Sequence, residues 1–489
     1  MASIRKNLAF NFLLSASQLL LPLISIPYVS HVLDPEGIGN VSFIDSLTYY
    51  FISISEFGIV VYGMREVARL RTDREALTKL VSELLTLHLI STIISIFLYG
   101  ITIFFLWSRI PDFRLILFSL SFLMVNAFAC EWYYYGTEQF RYISLRSILT
   151  RLCGLAGIFI LVHNPPDYYL YYAIIAGTGI VNILWNVFEL RSRLRIRLFI
   201  SGWKKHISKT WVTYLISLSY SISLMLDSVL LGLVSAAAFV GFYAFAVKLV
   251  RLSAMALTDT LLVYFPHVVA LLHNQEKEKF QQAILRNVQL LNLFSIPIGV
   301  GLFFLSNEIT SVVFGPAFSP VALDLRILSI VPFLKCYNLF LSKQVLIAYD
   351  NEKLYLRSLF ASGIIFVLAT VLLSYFLKDV GASIAMVIYE TCLLFFNYYF
   401  VKKTDSTLKV FDWKSVLHAL AGAAIFIPLI IFSQRWMEAD WLWLTLVIGV
   451  SAFAYILFQV FVLKNELMIG LRRWGLKYVS NSFQKNDQT

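Results

Sequence analysis

Charged side chains embedded in long apolar stretches are the residues of this chain most able to do chemistry. The cations are Lys248, Arg251, Arg326, Lys335 and Lys343; the acids are Asp45, Glu56, Asp227, Asp259 and Glu390. Each costs about 2.5–3.5 kcal/mol at the centre of a bilayer on insertion scales, so such groups face a protein interior or a wet cavity. Lys248 and Arg251 are three residues apart and share one helix face. Lys335 stands near mid-depth in its own stretch, with Arg326 toward one end and Lys343 toward the other. Arg and Lys hold phosphate through charge-assisted hydrogen bonds. Lys248, Arg251, Lys335 and Arg326 are therefore expected to receive an anionic group. Asp45, Glu56, Asp227 and Glu390 are candidates for binding a coupling proton or sodium ion. The competing reading makes all of these structural ion pairs between helices, and both readings can hold at once. No Walker loop, dinucleotide-binding glycine turn or HExxH zinc motif is present in the sequence. No catalytic residue, metal or cofactor is expected.

Those charges must be positioned by membrane helices. The 489 residues are 59% hydrophobic and only 14% charged, with mean hydropathy +0.75, which excludes an ordinary soluble domain of this length. A spanning helix needs about 20 predominantly apolar residues. Fourteen such stretches are expected near 8–30, 40–62, 84–107, 113–133, 146–163, 168–190, 210–233, 238–264, 288–306, 321–347, 356–377, 380–401, 415–434 and 441–463. The expected fold class is all-α, a polytopic transmembrane bundle. Pro22 and Pro27 are expected to kink the first helix. Four cysteines lack metal or disulfide spacing. The first apolar run lacks a small-residue cleavage site, so it is expected to be retained. Trp132–Tyr135, Tyr168, Tyr169, Tyr171, Tyr172, Trp441 and Trp443 fall at span ends, where an interfacial belt is expected.

The net charge of +11 would suggest nucleic acid in a soluble protein; here it reads as membrane anchoring. Of the 40 Lys and Arg, 31 fall at the N-terminus, in or beside the even-numbered gaps or in the C-terminal tail, and four in or beside the odd-numbered gaps. That asymmetry predicts both termini in the cytoplasm. Asn7–Leu89 lines up with Thr210–Leu291 at an offset of about 200, with Gly39 matching Gly241. Six spans per copy give a parallel repeat, a transporter pattern whose site lies at mid-depth. The expected division is an N-terminal six-helix lobe (1–203), a second six-helix lobe (204–405), and two further helices with a cytoplasmic tail (406–489).

Three segments carry a family resemblance. They are Pro27-Tyr28 with Pro35–Gly39, then Glu56-Phe57-Gly58 with Tyr62–Glu66, and Glu131–Gly136 with Glu138 and Tyr142-Ile143. Together they resemble the polysaccharide flippase family of the multidrug/oligosaccharidyl-lipid/polysaccharide exporter superfamily. Tyr135 departs from the pattern, since many relatives carry Gln there. The resemblance implies two lobes around a central cavity in a bacterial inner membrane. It also implies movement of a polyprenyl-pyrophosphate-linked oligosaccharide, an O-antigen repeat unit, to the periplasmic leaflet by alternating access. The mid-depth cations suit its pyrophosphate. A multidrug/cation antiporter should favour acidic and aromatic residues over these cations. A membrane polymerase or ligase should carry a larger external loop. Both remain open alternatives.

Overall fold

The computed structural model describes residues 4–110, 112–198, 201–221, 225–434, 437–465 and 467–469. The side chains of Arg5, Lys6 and Asp259, together with Arg435 and the basic tail beyond 469, lie outside the described residues. Helices account for the regular structure, and no strand occurs among the described residues. In chain order they are α1 (Ile4–Val32), α2 (Pro35–Glu56), α3 (Ile59–Leu70), α4 (Arg74–Phe105), α5 (Phe113–Asn126), α6 (Glu131–Gly136), α7 (Phe140–Leu161), α8 (Tyr168–Arg193), α9 (Lys204–Ser221) and α10 (Asp227–Val234). There follow α11 (Ala237–His273), α12 (Lys277–Phe304), α13 (Ser306–Ile309), α14 (Val321–Leu328), α15 (Val331–Leu339), α16 (Glu352–Thr404), α17 (Trp413–Ala423), α18 (Phe426–Gln434) and α19 (Trp441–Leu457).

Short polar turns start these helices. Asp34 caps α2 by accepting from the Gly37 amide at 2.7 Å, with Pro35 at the first helical position. Asp73 caps α4, Asp112 caps α5, Asp412 caps α17 and Asp440 caps α19 in the same way. Pro22 and Pro27 both lie inside α1.

Among the described residues nine helices are long and apolar enough to cross a bilayer, or eleven if each bent pair counts as one span. The protein is thus a multi-pass membrane protein. Three expected spans account for the difference from fourteen. The stretch 113–133 has a helix of only 14 residues before it breaks. The stretch 210–233 is divided between α9 and α10, with 222–224 outside the described residues. The stretches 356–377 and 380–401 form the single helix α16, interrupted by non-helical backbone at Lys378. A count of fourteen crossings remains a proposal.

Two compact units are present. The first comprises residues 1–245 and 356–389; the second comprises 246–355 and 390–489. In the first, α2 packs on α4, α5 and α8, while α3 packs on α6. In the second, α12 is the hub, packed on α14, α15, α17 and α18.

Within the first unit the matched glycines of the repeat meet. A Cβ on Gly39 would lie 1.8 Å from the Ala237 carbonyl oxygen, and a Cβ on Gly241 would lie 2.1 Å from the Pro35 carbonyl oxygen. The contact is reciprocal, residue for matched residue, which is the pattern a two-fold axis produces. Only glycine permits that backbone approach.

Candidate functional site

The second unit holds a cluster of cations around one buried acid. Glu390, on α16, is almost fully buried. Asn338, on α15, donates from Nδ2 to Glu390 Oε2 at 2.8 Å and to the Glu390 carbonyl at 2.8 Å. Asn397 donates in turn to Asn338 Oδ1 at 3.4 Å. The Glu390 carboxylate is in electrostatic range of both Lys335 and Arg251. Lys248 and Arg251 share a face of α11 and are part-buried. Neither Lys248 nor Lys335 makes a hydrogen bond or ion pair with a described residue. Arg326 stands apart: it is exposed, and its Nε donates to Ser306 Oγ at 2.8 Å. The structure therefore brings Lys335, Arg251 and Glu390 together, with Lys248 on the same helix face as Arg251. It does not show Arg326 joining them.

The other expected acids lie in the first unit, in three different settings. Asp227 is buried and accepts from Tyr243 Oη at 2.9 Å and from the Ser228 amide at 2.7 Å, which ties α10 to α11. Asp45 is part-buried beside Tyr49 and Tyr172. Glu56 sits at a break. The helices α2 and α3 are bent by 42°. The hinge is Phe57 and Gly58, both in the left-handed region with φ of 46° and 72°. A non-glycine residue held there costs of order 1–3 kcal/mol and marks sites where the surroundings over-determine the backbone. Phe57 stacks on Tyr214 at 4.6 Å between ring centroids.

A second broken span meets the first. The chain stops being helical between α5 and α6, and both breaks line one cavity of about 340 Å³. Irregular backbone at membrane depth is tolerated where it is buried in protein or lines a wet cavity. Glu56, Asn126, Glu131, Tyr135, Arg151 and Asn182 supply much of the polar lining. Arg146, only 3% exposed, bonds Glu131 at 2.6 Å and also bonds Asn186. Glu56 and Arg151 make no hydrogen bond or ion pair with a described residue. His88 is buried in the lining, 3.4 Å from Asn126 Nδ2.

Two expectations need correction. Trp132, Tyr133 and Tyr134 do not form an interfacial belt: they are buried in an apolar core with Ile59, Tyr62 and Leu84. Tyr171, Tyr172 and Trp443 are buried as well, whereas Trp441 is exposed. For Trp132–Tyr134 the reason is that they follow the α5–α6 break on the short helix α6, which packs on α3. Arg146 and Arg151, counted among cytoplasmic anchors by the basic asymmetry, lie inside α7 on the cavity wall. The resemblance segments hold part of this signal. Gly63 and Gly136 let α3 and α6 approach: a Cβ on Gly63 would lie 2.8 Å from the Trp132 ring, and one on Gly136 would lie 2.7 Å from Val67.

Comparison with known proteins agrees with this architecture. A family model described as polysaccharide biosynthesis protein matches residues 4–272. A candidate O-antigen transporter of Escherichia coli (strain K12) is 24% identical over 414 residues, covering 80% of this chain and 95% of that one. Among solved structures, the lipid II flippase MurJ in an inward closed conformation superposes with a TM-score of 0.73 at 14% identity, covering 94% of this chain and all of that one. An inward-facing multidrug resistance MATE family transporter of the MOP superfamily gives 0.61 at 14% identity, covering 80% and 96%. At such identities the structural likeness establishes the fold.

Proposed function

The chain belongs to the polysaccharide biosynthesis protein family, and from that premise we propose that it flips a lipid-linked oligosaccharide across the bacterial inner membrane. It acts as a transporter and not as an enzyme. The substrate is a polyprenyl-pyrophosphate-linked sugar chain, an O-antigen repeat unit, consistent with the name of the Escherichia coli relative and with the MurJ-like fold. Both termini are cytoplasmic, and the two repeats form lobes 1–203 and 204–405, followed by the additional helices in 406–489. The basic asymmetry supports the orientation, and the reciprocal Gly39–Gly241 contact supports the repeat.

The observation that carries this reading is the set of cations near Glu390. Lys335 and Arg251 both lie within electrostatic range of that buried carboxylate, and Lys335 makes no hydrogen bond or ion pair with a described residue. An anionic headgroup gives such cations a partner, and Arg supplies the planar fork that phosphate accepts. Lys248 extends the same face. Arg326, at its separate position, contacts substrate outside the headgroup cluster. Glu390 is the internal counter-ion of the empty state, and it takes up a coupling proton or sodium ion when phosphate claims its cations. Asp45 is a second coupling candidate, while Asp227 holds α10 to α11 through Tyr243. An antiporter for cationic drugs is disfavoured by the same positive charges.

Complementation in a cell lacking its own flippase tests the reading. Lys248→Ala, Arg251→Ala and Lys335→Ala should insert normally and restore surface polysaccharide poorly. Full restoration by all three contradicts the headgroup site. Loss of folded protein in all three favours structural ion pairs.

A further inference from the structure

The cavity at the two helix breaks of the first unit has chemistry that a headgroup site does not need. Two carboxylates, Glu56 and Glu131, and two guanidiniums, Arg146 and Arg151, line it together with the amides of Asn126 and Asn182. A phosphate would be repelled by the carboxylates. A metal ion would be repelled by the arginines, and no group of three or more His, Cys, Asp or Glu among the described residues could hold one. What remains is a neutral ligand rich in groups that both donate and accept hydrogen bonds. Arg146 is already held by Glu131 and Asn186, whereas Glu56 and Arg151 have no partner among the described residues. One strong acceptor and one strong donor are therefore open to the cavity. Tyr135 and Trp132 add ring surface to the lining. Its volume of about 340 Å³ falls at the lower end of small-molecule sites, roughly 300–1,000 Å³.

We propose that this cavity is a saccharide site, which takes a monosaccharide unit of the transported chain between Glu56 and Arg151 with Tyr135 against the sugar ring. The inference rests on the reading that the substrate carries an oligosaccharide, and the cavity of the first unit reads its sugar. Hydroxyls match the interleaved acceptors and donors, since each hydroxyl can serve as either. Tyr135, on the wall of the same cavity, then helps to set which sugar is accepted.

Binding measured on the purified full chain tests it. The probes are the polyprenyl-pyrophosphate-linked oligosaccharide extracted from the cells that encode the protein, and polyprenyl pyrophosphate carrying no sugar. Glu56→Gln and Arg151→Gln should each weaken the glycosylated lipid about tenfold, within the range for hydrogen bonds to charged groups, and leave the sugar-free lipid unchanged. Unchanged affinity for both lipids, or equal loss for both, overturns the saccharide site while leaving pyrophosphate recognition intact. If the unaltered protein binds neither lipid, the transport reading itself fails and the saccharide site falls with it. Should either variant fold poorly, Val60→Cys in a background without the native cysteines supplies the second readout. Val60 lines the cavity, so a thiol placed there reports whether the cavity is occupied. The glycosylated lipid should protect it from labelling and the sugar-free lipid should not. Equal protection by both, or protection by neither, overturns the proposal.

Discussion

The two polar sites of this protein treat charge in opposite ways. In the first unit, acids and arginines balance: Arg146 is bonded to Glu131 and Asn186, and Glu56 faces the same cavity as Arg151. In the second unit, Lys335 and Arg251 both stand within electrostatic range of Glu390, with Lys248 on the shared face of α11. A balanced set can persist in the interior without a ligand. A cation surplus is costly there until something anionic arrives. Arg146 of the first unit should therefore serve stability, and cations of the second unit should serve transport.

Removing Arg146 should produce the largest loss of stability. Arg146→Met leaves Glu131 and Asn186 without their shared donor. Breaking a fully buried pair costs about 3–5 kcal/mol, and the loss here should fall below that because the Glu131 side chain is 46% exposed. A thermal melt in detergent reads it; an unchanged melting temperature would mean that the balance in the first unit carries no stability.

Lys335→Met should behave in the reverse manner. It relieves positive charge beside Arg251, so the melting temperature should hold or rise, a common pattern where function opposes stability. Transport should fall by the equivalent of about 1.5–3 kcal/mol, the range for a hydrogen bond to a charged group. A variant that loses stability but transports normally would erase the contrast between the units.

A smaller effect is expected from Glu390→Gln. The amide keeps an acceptor for Asn338 yet removes the charge that competes with phosphate. Headgroup affinity should rise about fivefold, the low end of coupling between sites, while turnover slows because the counter-ion no longer helps release. Titration with inorganic pyrophosphate checks the affinity, and weaker binding would contradict the counter-ion role.

Orientation can be checked without any expected change in activity. In a cysteine-free background, single cysteines at Glu36, Asp167 and Glu438 should react with an impermeant thiol reagent from outside. Cysteines at Asp73 and Asn274 should not. The reverse pattern would turn the protein over.

Much of the fold is legible in the sequence because bilayer solvation writes it there. Apolar length locates the spans, and the swept basic residues mark the alternate gaps. Asp34-Pro35, Asp73 and Asp112 announce helix starts by their capping chemistry. The cation candidates were legible too, since a charge inside an apolar run stands out. The network around them was not. Asn338 and Glu390 are 52 residues apart, and Asn338 and Asn397 are 59 apart, so only the packed helices bring them together. The cavity of the first unit was hidden for another reason. Hydropathy smooths over a helix break, so 113–133 reads as one span and Trp132–Tyr135 as its watery end. The left-handed pair Phe57-Gly58 was visible as a motif, but its role as a hinge needs the backbone.

The central claim is that the chain moves a pyrophosphate-linked oligosaccharide between leaflets by way of the second unit's cations. Proteoliposomes containing the purified protein and a defined polyprenyl-pyrophosphate-linked oligosaccharide, assayed for sugar that becomes accessible on the opposite face, test it most directly. The account predicts protein-dependent translocation that Arg251→Ala and Lys335→Ala each slow about tenfold or more. Translocation no faster than in protein-free vesicles, or equal rates in all three proteins, would contradict it.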